Sequence, residues 1–226
     1  MEIFDGLAGP GYGATMISTE KPVALTMGEP GGIGTEITLK AWLRLRQTGC
    51  AFFVLHDPDH VAEAASVLSL DVPVGPILTA DDAVRIFRDA LPVMPVRLAA
   101  PVRMGSPDTR NASAVVEAIR TAVRLAQSGE VAALVTNPIQ KSALYESGFP
   151  YPGHTEFLEH LAGPGYRATM MLASEHLKVV PVSIHEPLSA AVSGISTGRI
   201  VEVARAAAAG LRRDFGIPRP RLAVAG

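Results

Sequence analysis

The chain has 226 residues, 48% of them hydrophobic, 19% charged and 5% aromatic, with a formal net charge of −2. That length holds one large domain or two small ones with a substantial core. The near-neutral balance excludes the basic footprint of a nucleic-acid binder and the acidic composition of a disordered tail. No apolar run is long enough for a membrane span. Cys50, the single cysteine, excludes an internal disulfide and fits a reducing compartment. Residues 1–16 carry acidic groups and no basic n-region, unlike a secretory signal, so the expected location is the cytoplasm. Few aromatics beside 21 glycines and 18 prolines point to α/β alternation with tight turns rather than a helical bundle.

In chain order, the pattern predicts a first strand at Val23–Thr26, a glycine-rich stretch from Met27 to Gly34, and a helix over Thr35–Arg46. A second strand, Ala51–Leu55, precedes a helix over Asp59–Leu68. Val72–Leu78 and Val93–Leu98 are strand candidates, the second made edge-like by Pro92 and Pro95. Ala114, Val115, Ala118, Ile119, Ala122 and Leu125 recur at helical spacing over Asn111–Gln127, with Asn111 as the expected cap and Ser128-Gly129 as the stop. Further strands are expected at Val131–Val135, Ala168–Leu172, Val179–Ile184 and Arg221–Ala225, with an Ala-rich helix over Gly198–Phe215. The expected domains are an extension at 1–20, an N-terminal α/β lobe at 21–110 and a central α/β lobe at 111–226. Leu7–Met16 repeats Leu161–Met170 at nine of ten positions, and two copies do not make a solenoid.

Several segments carry chemistry. Gly28–Gly34 lies between a strand and a helix, where glycine backbone can approach an anion. Its spacing is not the dinucleotide G-x-G-x-x-G, so a ligand loop and a tight structural turn both stand. Pro150-Tyr151-Pro152-Gly153 delivers His154 and Thr155 to a helix start, offering an imidazole, a hydroxyl and unpaired N–H groups. Thr155 as a plain helix cap is the bland alternative, and the two roles are compatible. Lys141 after Thr136-Asn137-Pro138 is either a phosphate point charge or a solvated helix lysine. His56 and His60, in HDPDH, look like a ligand pair but read more simply as a helix-capping turn. His185 ends an apolar strand, and no second His or Cys stands at ligand spacing beside it. Cys50 has no partner to lower its pKa and reads as structural.

Together, Met27–Ile37, Leu134–Lys141, Gly153–Phe157 and Ile184–Leu188, in that order, resemble the 4-hydroxythreonine-4-phosphate dehydrogenase family of pyridoxal phosphate biosynthesis. The resemblance implies a two-lobed isocitrate/isopropylmalate dehydrogenase-like α/β fold, incomplete here at the C-terminus. It implies NAD- or NADP-dependent oxidation of a phosphorylated hydroxy amino acid, 4-phosphooxy-L-threonine, then loss of CO2 to give 3-amino-2-oxopropyl phosphate. It further implies a homodimer and a divalent metal (Zn, Mg or Co) acting as a Lewis acid on substrate oxygens. His154 and Thr155 match the family's substrate-binding pair, and His185 its first metal-binding histidine. The other two metal histidines, the substrate-gripping lysine, asparagine and arginine, and most cofactor contacts belong to motifs the family places after the last segment present, so none is assigned. Thr35 stands where a proline is usual, and Gln140 where some members carry histidine.

The expectation is therefore a dehydrogenase fragment with little activity alone, exposed apolar patches and a tendency to associate. Two alternatives stand beside it: a dehydrogenase of a four-carbon sugar-acid phosphate of the threonate or erythronate type, and a non-catalytic phosphate-ligand binding protein.

Overall fold

The computed structural model describes residues 3–4, 21–47, 49–184 and 186–225. The expected extension, apart from 3–4, and the first copy of the decapeptide lie outside them. The described residues fall into two compact units, 3–4 with 21–162, and the residues from 163 onward. The lobe boundary expected at 110/111 falls inside the first unit, because α4 (Ala112–Gln127) packs on β2 (Val23–Thr26) and β6 (Ala133–Thr136).

In the first unit the remaining elements are β1 (Ile3–Phe4), α1 (Gly34–Leu45), β3 (Phe52–His56), α2 (Pro58–Val67), β4 (Val74–Pro76), α3 (Ala80–Ile86), β5 (Leu91–Pro95), α5 (Lys141–Glu146) and α6 (His154–Ala162). They build a six-stranded sheet in the order β1-β6-β2-β3-β5-β4. Every neighbouring pair is parallel except β1 with β6.

Alternation along the strands feeds two cores. Phe53 and Leu55 of β3 join Val115, Ala118 and Ile119 of α4 and Phe157 of α6 on one face. Phe52 and Val54 join Leu39 and Trp42 of α1 and Val61 of α2 on the other. A sheet covered on both faces explains the nearly unbroken apolar runs of its strands. Each fully buried large side chain, such as Phe53 or Leu55, contributes about 1.5–3 kcal/mol by leaving water. Trp42 also donates its indole N–H to the Phe87 carbonyl at 2.8 Å, tying α1 to the segment after α3.

Pro92 and Pro95 do not make β5 an edge strand; β4 is the edge. Leu91 N donates to Pro73 O and Ile77 N to Val93 O, so odd-numbered positions face β4, while Val96 N donates to His56 O on the β3 side. Pro92 therefore faces β3 just before the first pair, Val54 with Val93, and Pro95 faces β4 beyond the last pair, Pro76 with Val93. Neither missing N–H breaks a ladder. Asn111 does not cap α4 with its side chain. Its amide instead closes a two-way bond with the Ala100 backbone, at 2.9 and 3.1 Å.

The second unit holds a hairpin of β7 (Leu172–Ala173) and β8 (Lys178–Val179), then α7 (Leu188–Gly194) and α8 (Thr197–Arg213). The longer strands expected at Ala168–Leu172 and Val179–Ile184 shrink to this two-residue pairing, and Arg221–Ala225 has no ladder among the described residues. A strand needs a paired neighbour, and this unit supplies none beyond the hairpin. Ser196 caps α8 by accepting from Arg199 N at 3.2 Å.

Candidate functional site

From β2 the chain proceeds to β3 on one side, while β6 returns on the other. The crevice at the carboxyl ends of β2 and β6 is thus the topological switch point, where open α/β sheets bind ligands. Two loops meet there. Gly28 has φ +71°, and a Cβ on it would fall 2.6 Å from the Pro138 carbonyl and 2.8 Å from Asn137 Cβ. A Cβ on Gly34 would fall 2.6 Å from the Met27 carbonyl. Asn137 donates to Thr38 Oγ1 at 2.9 Å, and Thr38 passes its own proton to the Gly34 carbonyl at 2.8 Å.

Three N–H groups of this loop are already used. Glu29 N donates to Pro138 O, Gly31 N to Glu29 Oε1 and Gly32 N to Glu29 O. Burial pushes the Glu29 carboxyl above its ordinary value, against the bonds it accepts from Gly31 and Asp108. Of the two readings the sequence leaves open, the tight structural turn is the one these bonds describe.

The second cluster lies further along the same connection. Tyr145 donates from its hydroxyl to the Pro152 carbonyl at 3.0 Å, and Phe149, Tyr151 and Phe157 stack edge-on or tilted with centroids 5.0–5.2 Å apart. These contacts hold the 147–153 loop, so that α6 opens at His154 with Gly153 and Thr155 buried and His154 half-buried. Lys141 Nζ comes within 3.5 Å of the point a Cβ on Gly153 would occupy, and Glu156 Oε2 within 3.5 Å of the same point. The ammonium of Lys141 thereby sits against Gly153, the residue just before α6 opens at His154, with the Glu156 carboxylate facing the same point. An ammonium, a helix N-terminus and two side-chain donors in one place suit a phosphate or carboxylate.

The family description "pyridoxal phosphate biosynthetic protein PdxA" matches residues 48–226. The chain belongs to the PdxA family. It is 50% identical over 215 residues to the 4-hydroxythreonine-4-phosphate dehydrogenase of Maricaulis maris, covering 91% of this chain and 63% of that protein. The protein of the same name from Methylorubrum populi is 46% identical over 219 residues, covering 93% and 62%. Among solved structures, 4-hydroxythreonine-4-phosphate dehydrogenase from Klebsiella pneumoniae superposes with a TM-score of 0.77 at 31% identity, over 89% of this chain and 62% of that one. The parallel α/β architecture is the isocitrate/isopropylmalate dehydrogenase-like fold of the PdxA dehydrogenases. The chain spans under two thirds of the length of these relatives.

Of the three site residues expected from the sequence, His154 and Thr155 stand together at the start of α6, and His185 lies outside the described residues. Among the described residues no three His, Cys, Asp or Glu side chains converge as a metal site. Cys50 is half-buried and burial pushes its thiol up, consistent with an unreactive cysteine.

The HDPDH turn has the capping role expected of it. Asp57 accepts from Asp59 N at 3.1 Å with Pro58 in the first turn of α2, and it also receives Leu98 N and Arg97. The sequence does not disclose that His56 is 1% exposed and reaches Thr35 Oγ1 at 3.1 Å, 21 residues away. Thr35, which stands where the resemblance read from the sequence leads one to expect a proline, is the one signal that could have pointed there, since a proline offers no hydroxyl.

Proposed function

We propose that this chain takes part in the NAD(P)-dependent oxidation and decarboxylation of 4-phosphooxy-L-threonine to 3-amino-2-oxopropyl phosphate, as an oxidoreductase of pyridoxine phosphate biosynthesis. The observation that carries this reading is the convergence of Lys141 on the His154-Thr155 entrance of α6. The name shared by its relatives supplies the reaction.

In this reading the phosphate or carboxylate of the substrate rests on the first turn of α6. Lys141 neutralises its charge, Thr155 and the helix N–H groups donate to it, and His154 fixes its orientation. The aromatic cluster under the loop keeps these donors from moving when the ligand arrives. His185 serves as a metal ligand in this proposal. A bound divalent ion would supply Lewis-acid stabilisation of charge on the substrate oxygens. The working form is a cytoplasmic homodimer.

Binding of 4-phosphooxy-L-threonine, followed by calorimetry with and without zinc or magnesium, tests this reading. Saturable binding that His154→Ala abolishes supports it; binding indifferent to His154 contradicts it. A second reading is a dehydrogenase for a four-carbon sugar-acid phosphate; Gln140, next in sequence to Lys141, donates its amide to the Ser142 hydroxyl at 3.1 Å. Tighter binding of threonate or erythronate phosphate than of the amino acid would select it.

A further inference from the structure

His56 and His60 lie outside the substrate cluster; His60 faces the glycine-rich loop and His56 the first turn of α1. Their rings pack 5.1 Å apart at an interplanar angle of 34°. Asp57 N donates to His56 Nδ1 at 2.7 Å. A backbone N–H can only donate to an unprotonated ring nitrogen, so neutral His56 carries its hydrogen on Nε2. That hydrogen goes to Thr35 Oγ1, in the first turn of α1. The Pro30 carbonyl, inside the loop, faces His60. The Nε2 atom of His60 is buried without a hydrogen-bond partner among the described residues. Asp57, Asp59 and Glu63 line the cavity of about 270 Å³ against which His60 sits, and Arg97 pairs with the two aspartates. From the loop itself the buried carboxyl of Glu29 is the titratable group.

We propose that His56 and His60 form a clamp of stacked neutral rings that positions the Gly28–Gly34 loop and the start of α1, and that protonation of His60 releases it. A second proton on His60 would occupy a buried nitrogen with no acceptor among the described residues, beside a ring already committed through both of its nitrogens. Glu63, Asp57 and the Pro30 carbonyl favour the charged ring, but burial outweighs them and holds His60 below the ordinary imidazole value; burial, and then His60, push His56 down to about 3. Both nitrogens of His56 are engaged, while Nε2 of His60 has no partner among the described residues, so His60 is the ring that takes up a proton as the solution is acidified. Thr35 is the matching half of the device, because its hydroxyl oxygen accepts from His56 Nε2.

Two measurements on the full chain decide the matter. Imidazole ¹⁵N spectra should show His56 as the Nε2–H tautomer from pH 7 to pH 5. Hydrogen exchange of 27–36, corrected for intrinsic rates, should show protection falling about tenfold as His60 protonates. Thr35→Val should loosen the loop at pH 7 by a similar factor while Thr35→Ser keeps it. His60→Phe should keep the protection at pH 7 and abolish the acid step. If Thr35→Val does not fold, the wild-type tautomer and the His60→Phe profile still decide. An Nδ1–H tautomer at His56, pH-independent loop protection, or an acid step that survives His60→Phe would each overturn the proposal.

Discussion

The backbone of Gly28 lies so close to Asn137 that a Cβ added at 28 would stand 2.8 Å from the asparagine Cβ. The two residues belong to separate strand–helix connections, and their contact locks the loops at the switch point together. With φ at +71° and the Pro138 carbonyl 2.6 Å from the added atom, nothing there can give way cheaply. Gly28→Ala is expected to destabilise the first unit by about 2–4 kcal/mol, combining left-handed strain with overpacking. Gly105, at φ +77° with open space around it, is the control, and Gly105→Ala should cost only about 1–2 kcal/mol. Urea midpoints of the two variants check the difference.

Trp42 and Phe87 give a second handle on the fold. Trp42→Phe removes the donor to a buried carbonyl and leaves a void, so a loss of about 1–3 kcal/mol is expected. The same change should leave anion binding at α6 untouched, since neither residue approaches Lys141. Denaturation and calorimetry on one sample separate the two effects.

The buried pair His56 and His60 predicts how stability depends on pH. Both imidazoles are depressed in the folded chain, chiefly by burial, His56 to about 3. The unfolded chain therefore binds protons that the folded chain refuses. Stability is fully present above about pH 6.5 and falls as pH drops below it, by about 1.4 kcal/mol per pH unit for each such group. For His56 the decline continues to about pH 3. Between pH 6.5 and 4.5 the slope should flatten in His56→Gln relative to wild type. A wild type whose stability is constant over that interval would contradict the assignment.

Much of this fold is legible in the sequence where a local pattern decides it. Val23–Thr26 is a strand from first to last residue, and the apolar spacing of α4 gives its extent to within a residue. Elements set by distant partners are harder to read. Pro92 and Pro95 look like edge markers until the alternation of β5 shows that each faces away from a ladder. The short α3 lacks a helical stripe, although Thr79 and Asp82 form the reciprocal cap that announces it. Asn111 is placed like a cap and spends its amide on Ala100 instead. At the site, the adjacency of His154 and Thr155 is readable because they are neighbours in sequence. The Thr38–Asn137 and Thr35–His56 bonds span 99 and 21 positions, and no periodicity encodes them.

Gly153 supplies a gentler probe of the proposed anion cradle. An added Cβ would meet Lys141 Nζ and Glu156 Oε2 at 3.5 Å, ordinary contact distance, so Gly153→Ala should fold with a stability change within about 1 kcal/mol. The methyl would nevertheless occupy the space between the ammonium and the helix entrance. Phosphate-ester affinity should fall several-fold while the urea midpoint barely moves, a separation that calorimetry and denaturation read together.

The most direct measurement is a calorimetric titration of 4-phosphooxy-L-threonine into the wild-type chain, Lys141→Ala and His154→Ala. The cradle at the start of α6 predicts saturable binding that weakens by about tenfold or more in each variant, the loss associated with removing a donor to a charged group. Equal affinity in all three proteins, or no binding by the wild type, would contradict it.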